Sequence, residues 1–133
     1  MQNLLFAVIA TVAAAAAFPA MAADFDTQKS ADRGVTVMVT PQNLSRDAPS
    51  WDFKIVLDTH SQDLGDDLVK SSLLLDGAGM RYAPIAWDGA APGGHHREGV
   101  LRFTPVIAQS QSIELQITRA GEGAPRSFRW QLR

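Results

Sequence analysis

The stretch Trp51-Asp52-Phe53-Lys54-Ile55-Val56-Leu57-Asp58 decides the fold. Trp51, Phe53, Ile55 and Leu57 alternate with Asp52, Lys54, Val56 and Asp58, so an extended chain here has one apolar side and one largely charged side. That period of two is the pattern of a strand with one face on a core and the other in water. Upstream, Val35, Val37 and Val39 alternate with Thr36, Met38 and Thr40, and a loop rich in Pro, Asn, Ser and Asp joins the two runs. Downstream, Leu68 to Leu75 has mixed parity, and Asp76-Gly77-Ala78-Gly79 reads as a tight turn. Met80 to Trp87 is extended, with Pro84 marking an edge or bulge. Val100 to Phe103 follows the loop Asp88 to Glu98. Then come Ile113, Leu115 and Ile117, and finally Phe128, Trp130 and Leu132.

Seven candidate strands result, without an amphipathic helix; Asp63 to Lys70 has room for one helical turn capped by Asp66 or Asp67. Short strands at regular spacing predict an all-β antiparallel sandwich, immunoglobulin-like, with a small closed barrel as the alternative. A flexible lead over 23–33 precedes a single domain over 34–133.

The N-terminus predicts export. Met1 to Ala23 carries no charged side chain, and Leu4 to Phe18 is apolar and alanine-rich. Pro19 and Ala20-Met21-Ala22 follow, a helix breaker and a small-x-small site, which places cleavage after Ala22. Retention as an anchor is the rival, because Leu4 to Ala23 approaches the roughly 20 residues that span a bilayer. Cleavage leaves 111 residues (133 less 22), enough for one core. It also leaves no membrane anchor and a periplasmic or secreted product.

The 12 basic and 14 acidic residues all follow Ala22, and the net charge of −2 argues against nucleic acid as a partner. There is no cysteine, hence no disulfide and no lipid attachment through a thiol.

Chemistry concentrates around the three histidines. His60 follows the second run, and His95 and His96 lie in Gly93-Gly94-His95-His96-Arg97-Glu98. If strands alternate in direction, the loops after the second, fourth and sixth runs emerge at one pole. His60, His95 and His96 then meet Asp58 and Asp63 there, a set suited to Zn²⁺ or Cu²⁺. Trp87, Asp88, Arg97 and Glu98 border the same loops as candidate ligand contacts. The plainer alternative has the histidines only ordering those loops, with Arg97 paired to a neighbouring aspartate. No nucleophile elbow or EF-hand spacing is present, so no catalytic residue is assigned.

The blocks Asp58-Thr59-His60-Ser61 and Gly93-Gly94-His95-His96-Arg97, together with Trp51-Asp52-Phe53 and Trp87-Asp88-Gly89, resemble a family of uncharacterised prokaryotic exported domains. The resemblance implies signature segments and no activity. The expected function is a non-enzymatic exported binding domain whose His- and Asp-rich end holds a divalent metal or other small ligand. The alternative is an interaction module for another envelope protein, docking through a sheet edge or the same loops.

Overall fold

The computed structural model describes residues 25–106 and 110–132. The expected signal over 1–22 lies outside them. In chain order the elements are β1 (Gln28–Asp32), β2 (Val35–Asn43), β3 (Trp51–Thr59), α1 (Leu68–Ser71), β4 (Ser72–Asp76), β5 (Arg81–Tyr82), β6 (Ala86–Gly89), β7 (His96–Phe103), β8 (Ser112–Ile117) and β9 (Arg126–Gln131). A five-stranded sheet ordered β1-β2-β3-β7-β6 packs on a four-stranded sheet ordered β5-β4-β8-β9, and every pairing is antiparallel. The protein is a β-sandwich, and the sheets do not close into a barrel.

The opening stretch behaves as its alternation requires. Trp51, Phe53, Ile55 and Leu57 are buried, while Asp52, Lys54, Val56 and Asp58 face outward. Phe53 meets Phe103 edge-on at 5.6 Å and Trp130 at 5.7 Å, tying the two sheets across the core. Val37, Leu74, Leu101, Leu115 and Phe128 fill the remainder.

Nine strands form among the described residues, where seven were expected. Gln28–Asp32, expected as part of a loose lead, is β1: its backbone pairs with Val35–Val39, and hydrogen bonding outweighs a polar, aperiodic sequence. The run Met80 to Trp87 divides into β5 and β6, because the chain crosses from one sheet to the other around Pro84. Both pieces are edge strands, where a residue without an N–H is tolerated. The mixed parity of Leu68 to Leu75 records a change of geometry. Asp67 caps α1 by accepting from Val69 N and Lys70 N at 3.1 and 3.2 Å, and β4 then starts afresh at Ser72.

Register fixes the two ends. Val35 lies opposite Thr59, Asp58 opposite His96, and Ile117 opposite both Ser72 and Arg126. The β1–β2 turn and the loops 60–67, 90–95 and 118–125 therefore gather at one pole, with all three histidines. No helix of the described residues is long and apolar enough to cross a membrane.

Candidate functional site

At this pole the inward-facing rows of three strands end in arginine. Arg97 continues the row of Leu101 and Phe103 on β7. Arg119 continues Leu115 and Ile117 beyond β8, and Arg126 precedes Phe128 on β9. Their exposures are 1%, 6% and 6%. Burying a cation is costly unless its donors are satisfied, and each guanidinium here is used to join loops.

Arg97 has no carboxylate partner among the described residues. Its Nη1 donates to the carbonyls of Asp66 at 2.7 Å and Leu64 at 3.2 Å, and its Nη2 donates to Ala90 O at 3.2 Å. The Trp87 ring lies 5.6 Å from the guanidinium carbon, a cation–π contact, while Nε has no partner. Around it the loops interlock: Gly93 N donates to Leu64 O at 2.8 Å, Leu64 N to Gly94 O at 3.0 Å, and Gly94 N to the Asp63 carboxylate at 2.8 Å. Gly93 and Gly94 take φ of 116° and 79°, a left-handed path open to glycine at little cost.

The other two arginines belong to an ion-pair chain. Asp66 takes two bonds from Arg119, at 2.8 and 3.2 Å, and Arg119 also lies 3.5 Å from Glu122. Glu122 takes two more from Arg126, at 2.9 and 2.8 Å. Arg126 then donates to the carbonyls of Ser30, Asp32 and Val35 around the β1–β2 turn. The hydrogen bonds from Arg126 hold the Glu122 carboxyl below its ordinary pKa.

The Asp66–Arg119 pair forms one wall of a cleft of about 750 Å³ between α1 and the β8–β9 loop. Asp63, Asp67, Lys70, Gln116 and Ala120 also line it, above the outward side chain of Leu73. That volume lies in the usual range for small-molecule sites, roughly 300–1,000 Å³.

The expected metal set is at the predicted pole but does not converge. Among the described residues no group of three or more His, Asp or Glu could hold an ion. His96 belongs to β7, not to a free loop, because the β3 pairing extends to Asp58; its side chain therefore points outward while Arg97 points in. Its Nδ1 lies 2.5 Å from the Asp58 carboxylate, and its Nε2 lies 3.5 Å from Glu98. The Asp58 hydrogen bond is the main cause of a raised His96 pKa. Asp63 holds Gly94. His60 and His95 are exposed, and His95 contributes its carbonyl to Thr59 N at 2.9 Å.

The candidate ligand contacts are likewise committed internally. Glu98 pairs with Lys54 at 2.9 Å, and Asp88 with Arg102 at 2.6 Å. Trp87 covers Arg97 and packs so closely on the Gly89–Gly99 pair that a Cβ on Gly99 would lie 2.7 Å from its ring. Arg97 binds carbonyls, not the aspartate expected for it. Of all these residues only Asp63 borders the cleft. Asp66 and Lys70 were expected only in a capped helical turn, and Gln116 and Arg119 were not singled out, although one signal was present: Ile113, Leu115, Ile117 and Arg119 share a parity, as do Arg126, Phe128 and Trp130.

Comparison with known proteins found no matching family model, no matching curated protein and no matching solved structure.

Proposed function

We propose that this is an exported, non-enzymatic binding domain that takes a small polar ligand in the cleft beside the Asp66–Arg119 pair. The cleft itself carries the reading: an opening of about 750 Å³ at the loop pole, with a fixed ion pair in its wall. Buried charge seldom adds net stability, yet it fixes geometry when fully bonded. Here it holds two loops at a set separation, as a preorganised site requires. Asp63, Asp66 and Asp67 oppose Lys70 and Arg119, leaving the lining one negative charge in excess. That excess favours ligands rich in donors, such as amines and polyols, over anions.

The strand order supports an immunoglobulin-like layout. With β1 and β5 set aside, β2-β3-β7-β6 faces β4-β8-β9, the ABED and CFG arrangement of that fold. The apolar N-terminus supports a periplasmic or secreted location.

Ligand-observed NMR against small amines, amino acids and polyols tests the proposal. Binding should occur with Kd below about 1 mM and disappear in Ala120→Trp, which fills the cleft from an exposed loop position. No binder in those classes, or binding unchanged in the tryptophan variant, would overturn it.

A second reading has its own observation. His96, Asp58 and Asp63 are all engaged in contacts that brace strands or loops. This supports histidine blocks that only order the pole, as an interaction module would need.

A further inference from the structure

We propose that the β5 edge of the four-stranded sheet docks an extended acidic segment of a partner protein, which adds as a further strand. The site lies on a different face from the cleft and stands whether or not the cleft binds.

The two flanks of the sandwich are finished differently. On one, β1 extends the larger sheet and its Gln28 side chain reaches the β9 edge. The Gln28 amide donates to Arg129 O and accepts from Arg129 N, occupying both main-chain groups of that residue. Trp130 Nε1 is bound by Asp26 O at 2.8 Å, so the N-terminal segment lies along this edge. On the other flank β5 pairs only with Leu74 and Leu75, and no strand lies beyond it among the described residues. An unpaired edge presents a row of main-chain donors and acceptors, the template used in β-strand addition.

Short edge strands bearing a charge also deter association, and β5 is short and carries Arg81. Its surroundings point the other way. Met80, just before β5, and Ile85, which opens the adjoining β6 edge by donating its N–H to Arg102 O at 2.7 Å, are the large apolar side chains left exposed among the described residues, at 60% and 59%. Exposed apolar side chains concentrated beside an open edge mark an interaction surface. The charge then selects the occupant. Arg81 is exposed and forms no ion pair among the described residues, whereas Asp88 on neighbouring β6 is already bound to Arg102. A second copy would bring a second Arg81 to the same edge. A segment with a carboxylate flanked by apolar side chains meets Arg81 and Met80 on β5, with Ile85 on the adjoining β6 edge of the same flank.

The test uses a short capped peptide alternating threonine and valine around one central glutamate, with a lysine-centred control. In ¹⁵N-labelled protein the glutamate peptide should shift amides of Met80, Arg81, Tyr82 and Ile85 and leave the cleft amides at Thr118 and Arg119 unmoved. Met80→Asp with Ile85→Asp should weaken binding at least about tenfold. Arg81→Glu should reverse the preference toward the lysine peptide. All three positions are exposed, and thermal melts of the variants should match the parent. No shift at 80–85, equal binding of the two peptides, or self-association that the double substitution abolishes would each overturn the proposal; the last would assign the edge to a second copy.

Discussion

Arg97→Ala should destabilise the domain by about 4 kcal/mol, a large share of the 5–15 kcal/mol typical of single domains. Asp66 O accepts only from Arg97 among the described residues, and orphaning it costs about 1–3 kcal/mol. Leu64 O keeps Gly93 N, and Ala90 O keeps the Trp87 indole, so each of those losses is only about 0.5 kcal/mol. The cation–ring contact adds roughly 1 kcal/mol. The vacated stem adds about 2 kcal/mol as a cavity. Against this, removing a buried cation that has no carboxylate of its own returns some desolvation energy, about 2 kcal/mol. Arg97→Met restores the stem volume and should cost about half as much. Urea denaturation followed by tryptophan fluorescence measures both, with Trp87 as a reporter beside the site. A loss under about 1 kcal/mol in the alanine variant would refute the account, since the guanidinium would then not be what holds the loops together.

Gly99→Ala should cost about 1–3 kcal/mol and red-shift the fluorescence, because the new methyl displaces the Trp87 ring or parts β6 from β7. Asp67→Ala should remove about 1 kcal/mol with the cap of α1, read as a lower urea midpoint. The His96–Asp58 pair raises the folded-state pKa of His96, so its stabilisation is complete below the ordinary histidine value near 6.5 and is lost as pH rises through the raised value. NMR titration of His96 should show this upward shift, and Asp58→Asn should remove most of it, leaving the smaller part due to Glu98. Glu122 behaves oppositely. Its folded-state pKa is lowered, so its contribution is present above the ordinary glutamate value near 4.3 and fades as pH falls through the lowered one. Acid unfolding monitored by circular dichroism should begin at higher pH in Glu122→Gln.

The sandwich was legible because Trp51 to Asp58 and Val35 to Thr40 state their buried faces outright. The position of the histidines at one pole followed from counting strand reversals, and the register agrees. The strand β1 was not legible, since Gln28–Asp32 alternates nothing apolar and owes its form to backbone pairing with β2. Residue types alone did not show how the groups at this pole are engaged. Histidines beside aspartates suggest a metal, but His96 is spent on Asp58 across a strand pair, and Asp63 on a glycine amide. The three arginines carry the architecture of the pole. They occupy inward parity positions, where an alternation rule expects apolar side chains and stops at the first charge.

The Gln28 latch also sets an order of assembly. Gln28 and Arg129 are separated by 101 positions, and Asp26 and Trp130 by 104. Contacts of such sequence separation form slowly, because nearly the whole chain must be confined before either is gained. β2 and β3 can pair as a local hairpin, while β9 acquires its edge cover only once the earliest strand is in place. Until then the polypeptide has two open flanks, and afterwards one.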